Sequence, residues 1–386
     1  MSRLEELIAE HCPDGVEYKK LGEVFDMNIG YTPSRKNKSY WTDGTIPWFT
    51  LKDIRENGNI LSDSIEHVHE SGVRGNLIPA NSLVLSNSAT VGVHALIETD
   101  FICSRRFTRF TDNGKYDVDM KFMYYYFEIV GGLALDNTHT SSFPSISSRW
   151  LRNLTIPLPP IEVQNEIARI LDTFTELTQE LTQERELREK QYDYYRDTLL
   201  TFDDDVEVKK LGDVCEVKAG QNINKKFISE NIGEYPVLNS GKEPLGYVDT
   251  YNVENDEIGV ASRGTVGYVS WTEGKYFRGN LNYGVTVKDS SKLNNRYLYY
   301  YMKNNEYAID ALCTFHGIPA LNKSRLETLE IPIPPIEVQN EIVEKLDRFN
   351  TLANDIDHGL PKEIELRTKQ YEYYRDKLLT FNEVTA

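Results

Sequence analysis

IPLPPIEVQNEIARILDTF (residues 156–174) returns as IPIPPIEVQNEIVEKLDRF (residues 331–349), and KQYDYYRDTLLTF (190–202) returns as KQYEYYRDKLLTF (369–381). A chain that repeats itself can place two similar surfaces at a fixed separation, related by an approximate two-fold axis. Such a frame suits a ligand with two half-sites, and duplex DNA is the commonest ligand of that kind.

The repeat extends outward from these stretches. VEYKKLGEVFDMNIG (16–30) matches VEVKKLGDVCEVKAG (206–220) at an offset of 190, and LVLSNSATVG (83–92) matches IGVASRGTVG (258–267) at an offset of 175. The offset stays 175 through Leu177 against Leu352 and becomes 179 at Gln191 against Gln370. The first half therefore holds about fifteen extra residues between Gly30 and Leu83, and the second holds four extra in its helical segment. Each half reads as a mixed, strand-rich domain followed by one long helix. The expected segments are a first domain over 1–150, a spacer helix over 151–203, a second domain over 204–325 and a second helix over 326–386. The fold class is α+β, with the two helices forming an antiparallel coiled coil of pseudo-two-fold symmetry.

The strands are short β-branched and aromatic runs broken by Gly, Asn and Asp, as in SLVLSNSATVGVHALI and GYVDTYN. The helices begin after PLPPI and PIPPI, because proline disfavours helix in the residue before it. Glu162 and Glu337 suit the positive end of the helix that follows. Val163, Ile167, Ile170, Phe174, Leu177 and Leu181 step by four and three alternately. Val338, Ile342, Phe349, Leu352 and Ile356 keep the same frame, with Leu346 taking over beside Lys345. These are heptad seams. Sharing one frame and one length class, they are expected to pack on each other; the plainer alternative packs each on its own domain.

A helix of about 40 residues is roughly 60 Å long, enough to hold two domains about one turn of DNA apart. ELTQELTQE (176–184) is a tandem tetrapeptide. Each copy adds about 6 Å, so copy number would act as a ruler; ordinary solvated helix is the plainer reading. In HGLPKE (358–363), Gly359 and Pro361 should break or kink the second helix.

Composition bounds the setting. No apolar run approaches the roughly 18 residues of a membrane span. MSRLEELIAEHC at the start is a short amphipathic helix without the apolar centre of a signal peptide. Cys12, Cys103, Cys215 and Cys313 are scattered, which points to a reduced, cytoplasmic protein. The net charge of −17 looks wrong for a DNA binder. Much of it lies in the repeated helices, with 6 Lys+Arg against 11 Asp+Glu in residues 151–203 and 7 against 13 in residues 326–386. The larger domains are only mildly acidic, so each can carry a basic face.

Catalytic motifs are missing. No GxxxxGK[ST] loop is present for nucleotide phosphates. Leu158 and Ile333 precede the proline pairs, where an amino-methyltransferase of the NPPY type needs Asn or Asp, and Ile follows where it needs an aromatic ring for the flipped base. In PDGVEYK (13–19) the carboxylates Asp14 and Glu17 are too close in sequence for a metal-nuclease pair from separate strands. His67 and His69 in EHVHE would share one strand face but lack a further ligand motif, so solvated strand histidines are the reading against a metal site.

Taken together, these residues resemble the specificity subunit of type I restriction–modification systems, over nearly the whole chain. The marks are the paired proline-led helices, the duplicated KQY[DE]YYRD ends and two dissimilar domains between them. GYTPSRKNKSYWTDGTIPWFTLKDI (30–54) and AGQNINKKF (219–227) with its ASRGTVG loop look like the family's target-recognition domains. The resemblance implies that each domain reads half of an asymmetric, bipartite double-stranded DNA target. It implies that the helices are spacer and docking surface for two modification subunits, and that a restriction and translocase subunit joins them. The cofactors would belong to those partners: S-adenosylmethionine for adenine methylation, ATP and Mg for restriction. This chain would bind none and perform no chemistry.

DNA reading needs Lys or Arg for phosphates and Arg, Lys, Asn, Gln, Ser or Thr for base edges. The candidates are Arg35, Lys36, Lys38, Ser88, Thr90, Arg105 and Arg106 in the first domain. In the second they are Gln221, Asn222, Lys225, Lys226, Ser262, Arg263, Thr265 and Arg278. The plain alternative for each is a solvated surface group. The loop at 86–92 and 261–267 stands out, because Ser88 occupies the place of Arg263 in an otherwise matching frame. Tyr192, Tyr194, Tyr195, Tyr371, Tyr373 and Tyr374 suit either coil packing or docking of a modification subunit. Two rivals remain: a coiled-coil scaffold whose domains bind protein or carbohydrate, and a self-contained methyltransferase or nuclease.

Overall fold

The repeated PPIEVQNE stretch is fixed by its glutamine. Gln164 is fully buried. Its Oε1 accepts from the Asp119 amide at 2.8 Å, and its Nε2 donates to the carbonyls of Asp117 at 2.9 Å and Pro159 at 2.7 Å. Gln339 repeats the pattern with the Asn294 amide at 2.8 Å and the carbonyls of Lys292 at 2.9 Å and Pro334 at 2.7 Å. A buried amide with its donors and acceptor used locks its neighbours, because losing any partner strands a polar group out of water.

Two turns later a carboxylate adds a second latch. Asp172 accepts from Lys121 Nζ at 2.8 Å and from the Tyr125 hydroxyl at 2.7 Å. Asp347 accepts from Arg296 Nε at 2.9 Å and from the Tyr300 hydroxyl. Each proline-led helix is thus held to its own domain at two points.

The computed structural model describes residues 3–138, 145–203, 205–314, 319–354 and 359–384, without the side chains of 352–354. The chain forms two compact units, Met1–Glu180 with Glu365–Ala386, and Leu181–Ile364. In the first, Phe25–Ile29, Phe107–Asp112, Ser82–Ser86 and His94–Ile97 form an antiparallel sheet in that order, with Ile60–Leu61 added in parallel at the edge. In the second, Cys215–Ala219, Asn282–Val287, Glu257–Ala261 and Val269–Thr272 repeat the four antiparallel strands. A three-stranded sheet accompanies each: His67–Val68, Ile46–Phe49 and Ile102–Cys103 in one, Tyr247–Val248, Ile232–Leu238 and Phe277–Arg278 in the other. The helices Met120–Asp136 and Asn295–Asn304 share the cores of these sheets.

The central helix runs unbroken over Ile161–Leu199, 39 residues. Phe174 stacks on Tyr374 at 5.4 Å in the first unit, and Tyr195 stacks on Phe349 at 5.0 Å in the second. Within its own unit, each proline-led seam therefore lies against its own domain and the tyrosine-rich end of the other copy, which is the plainer alternative and not the expected seam-on-seam packing.

Leu378, Leu379 and Phe381 join the first core, as Leu199, Leu200 and Phe202 join the second. The C-terminal segment thus completes the first unit, where Val16 also bridges Glu383 and the Tyr18 hydroxyl donates to the Phe381 carbonyl at 3.1 Å.

The second helix is interrupted, as Gly359 and Pro361 require, and one expectation about its seam changes. It consists of Ile336–Asn354 and Leu360–Leu378, with Pro361 in the first turn of the latter, where a missing N–H costs little. Ile356 lies outside the described residues. Val338 is 41% exposed, whereas its counterpart Val163 is fully buried. The N-terminal helix Arg3–His11 explains this: it shares a core with Val163, and Arg3 Nε lies 3.9 Å from Glu166. Ile342 and Leu346 remain buried while Lys345 is exposed, as the seam required.

The latch makes a test. Gln164→Ala strands two carbonyls and one amide, and should cost about 3 kcal/mol, lowering the unit's melting midpoint by about 6–12 °C. Gln183→Ala, at an exposed position of the same helix, should change it by less than about 0.5 kcal/mol. Equal effects in calorimetry would remove the latch from its central role.

Candidate nucleic-acid interface

The matching loops share one backbone frame. Ser86 N bonds to the Val93 carbonyl at 2.7 Å and Gly92 N to the Ser86 carbonyl at 3.1 Å; Ala261 N bonds to Tyr268 at 3.0 Å and Gly267 N to Ala261 at 2.9 Å. Left-handed φ values recur at Ala89 (67°) and Gly264 (74°), then at Gly92 (91°) and Gly267 (81°). Ala89 is unusual there, since a Cβ in this region costs about 1–2 kcal/mol. Gly92 is needed twice over: a Cβ on it would lie 2.5 Å from the Gly131 carbonyl of the packed helix.

Neighbouring segments converge on each loop. In the first unit Asn87 N donates to the Arg106 carbonyl at 2.8 Å, and Tyr31 N donates to the Cys103 carbonyl at 2.8 Å. Ser88 and Thr90 thus sit beside the turn that carries Arg105 and Arg106, both exposed. Arg55 joins them, its Nη2 3.3 Å from Thr90 Oγ1. Sequence reasoning missed Arg55, which lies on the short helix Leu51–Asn57 with no local signal to mark it.

In the second unit Ser262 N donates to the Leu281 carbonyl at 2.9 Å, Thr265 N to Ser240 at 2.9 Å, and Gln221 N to Arg278 at 2.9 Å. Arg263, Gln221 and Asn222 are exposed around this junction. Among the described residues, no ion pair involves Arg105, Arg106 or Arg263, so their charges are available for phosphate or base edges.

Several candidates are otherwise engaged. Arg35 makes two bonds to the Glu66 carboxylate at 2.7 and 2.6 Å, and its guanidinium lies 3.5 Å from the Trp41 ring centroid and 4.8 Å from that of Trp48. Hydrogen bonding from Arg35 holds the Glu66 carboxyl below the usual range. Arg35 therefore closes its own loop over the small sheet, while exposed Lys36 and Lys38 follow it. Lys225 and Lys226 begin the short helix Lys225–Glu230, and Lys226 approaches Glu230 at 3.8 Å. The Thr265 hydroxyl donates to the Ser240 carbonyl at 2.9 Å.

Ser262 and Arg278 are corrections. Both are buried, at 5% and 8% exposure. Arg278 pairs through Nη1 with Glu257 inside the domain. Gly284 makes room for that guanidinium, which a Cβ would strike. An exposed-surface reading fails for Arg278 because the sequence gives no sign of an acidic partner 21 positions upstream.

The tyrosines divide. Tyr371 packs against the first core and Tyr192 against the second, each beneath an arginine, Arg375 at 5.8 Å and Arg196 at 5.6 Å. Tyr374 and Tyr195 are spent on the stacks with Phe174 and Phe349. Only Tyr194 and Tyr373 of the six stand well clear, at 67% and 63% exposure. One heptad before them, Leu187 and Leu366 are also exposed, at 65% and 54%.

The residues considered for metal chemistry are apart. His67 lies on its strand with Nε2 2.7 Å from Asp63, whereas His69 caps the turn Glu70–Gly72 through Nδ1. Asp14 is exposed, and Glu17 pairs with Lys19. No group of three metal-ligating side chains occurs among the described residues, and no described helix is long and apolar enough to cross a membrane.

Comparison with known proteins supplies the family. The type I restriction modification DNA specificity domain matches residues 13–189 and again 203–366. The EcoprrI type I restriction enzyme specificity subunit of Escherichia coli is 36% identical over 92% of this chain and 93% of its own. A putative type I specificity subunit of Haemophilus influenzae is 35% identical over 70% of this chain and 74% of its own. The crystal structure of an S subunit from M. genitalium superposes with a TM-score of 0.62 at 17% identity, covering 95% of this chain and 96% of that one. A second, the HsdS subunit from Thermoanaerobacter tengcongensis, gives 0.54 at 18% identity, covering 96% and 97%. The twice-matching domain and the full-length relative together place this chain in the family of type I restriction–modification specificity subunits, the non-catalytic chains that give such systems their DNA sequence recognition.

Proposed function

We propose that the two units read the two halves of one asymmetric, bipartite duplex, and that the helices set the spacer and carry two modification subunits. The observation behind this reading is the pair of loops at 86–92 and 261–267: one backbone frame, with Ser88 in one and Arg263 in the other. A fixed frame with exchanged side chains is what two different half-sites require, since base edges are read by side chains and phosphates by position. In the first unit Ser88, Thr90, Arg55, Arg105 and Arg106 are the contacts; in the second they are Gln221, Asn222 and Arg263. Lys36, Lys38, Lys225 and Lys226 add charge toward the phosphates.

Docking rests on the exposed Leu187–Tyr194 and Leu366–Tyr373 pairs. Each spans seven residues, so both members lie on one helix face, and Leu and Tyr together form an apolar stripe that a partner helix can cover. Two equivalent stripes suit two copies of one partner. S-adenosylmethionine belongs to that modification subunit, and ATP with Mg to a restriction subunit; this chain takes no cofactor. Four free, buried thiols suit a reduced cytoplasmic setting.

The ruler role of ELTQELTQE rests on its place: the division between the two compact units falls at Glu180 and Leu181, inside the repeat. Deleting one LTQE should shorten the spacer of the methylated motif and leave both half-sites unchanged; an unaltered spacer in the methylome would end the ruler idea. Arg263→Ala should cost about 1–3 kcal/mol in binding to the cognate duplex, with discrimination lost only in the second half-site. Exchanging residues 15–150 for another recognition domain should change the first half-site alone. Changes in both halves would contradict modular reading.

A further inference from the structure

The two recognition domains share a loop frame but differ beneath it. In the first unit the sheet face behind the loop is dry, with Val84, Ala95, Phe101, Cys103 and Phe107 fully buried. Burial pushes the Cys103 thiol up to about 12, so it stays neutral. The corresponding positions of the second unit are Gly259, Ser270, Tyr276, Arg278 and Asn282, at the constant offset of 175. There the Glu257 carboxylate accepts from Arg278 Nη1, from the Tyr276 hydroxyl at 2.7 Å and from Thr286 Oγ1 at 3.1 Å. Arg278 Nε and Asn282 Oδ1 are buried without a partner among the described residues.

The apolar version in the first unit shows that the fold does not need this ion pair. A buried pair is also weak as a source of stability, because desolvation offsets its attraction, and unpaired neighbours make it costlier. Arg278 belongs to a turn whose backbone is held on both sides. Arg278 N donates to Asn252 Oδ1 at 2.6 Å, and its carbonyl accepts from Asn252 Nδ2 at 2.9 Å and from Gln221 N at 2.9 Å. Leu281 N donates to Asn239 Oδ1 at 2.9 Å, while its carbonyl holds Ser262 N at 2.9 Å. The turn 278–282 is therefore gripped from below and carries two DNA-facing segments above, the Gln221 strand end and the 262–267 loop.

We infer that the buried Glu257–Arg278 pair is a positioning device of the second recognition domain, setting the 278–282 turn and through it the side chains that read the second half-site. Arg278 acts through this turn and does not touch DNA. The inference rests on the loops being the DNA-facing surface, as proposed above. It also gives the buried pair a reason to be confined to one domain, because the first domain positions its loop by packing.

The test uses the complete complex with its modification subunits and duplexes carrying single-base changes in either half of the methylated motif. Glu257→Met with Arg278→Met replaces the pair by apolar volume. The expected result is about a tenfold loss of discrimination in the second half-site, the size of one lost base contact. First-half discrimination, the salt dependence of binding and the melting midpoint should hold or, for the midpoint, rise. Unchanged second-half discrimination would overturn the inference. So would a salt slope smaller by about one, which marks a lost phosphate contact. If the double variant does not assemble, Tyr276→Phe decides: it removes one donor to Glu257 at nearly constant volume and should weaken the same half-site alone, and no change there overturns the inference. Arg263→Ala is run beside them. If it too spares the second half-site, the DNA-facing reading itself fails along with the positioning role.

Discussion

Everything in this molecule depends on a long, only partly buried helix being held at its start by a buried amide. Residues 163–171 of the central helix are where its fully buried side chains lie; beyond them the helix is half-buried or exposed. A polar helix of that kind is not held by propensity alone, since most helical stability in proteins comes from tertiary packing. Gln164 and Asp172 attach it to one domain, and Gln339 and Asp347 attach its counterpart to the other. Proline ahead of each glutamine cannot extend a helix backward, so entry angle and latch are set within a few residues.

From that constraint the division of labour follows. Residues that hold the frame recur in both halves: the latching glutamines and aspartates, the stacked Phe–Tyr pairs, and the LLTF ends that complete each core. Among the residues that differ are those on and beneath the loops. The frame admits two quite different supports for one loop geometry, a dry sheet face in one unit and a buried ion-pair network in the other. A loop conformation fixed by backbone bonds and left-handed residues leaves its side chains free to vary without refolding.

The sequence made the architecture legible because its evidence is periodic. Repeat offsets, proline entries and heptad steps located the helices and the two strand-rich halves. The loop pair was also readable, since ATVG and GTVG align and their glycines carry the required backbone conformation. What stayed hidden depends on partners distant in sequence. Arg35 looked like a DNA contact, yet Glu66 and Trp41 engage it. Arg278 looked exposed, yet Glu257 and the gap above Gly284 bury it. Val338 looked like its buried twin Val163, but among the described residues a covering helix like Arg3–His11 occurs only in the first unit. Arg55 reaches the loop from a helix whose pattern says nothing of that neighbour.

The most direct test is the methylome of the source strain, or of a host carrying this chain with its modification subunit alone. The account predicts one asymmetric motif in two unlike halves separated by a fixed unread spacer, with methyladenine in each half. A single continuous motif, or a palindrome read identically on both sides, would contradict it.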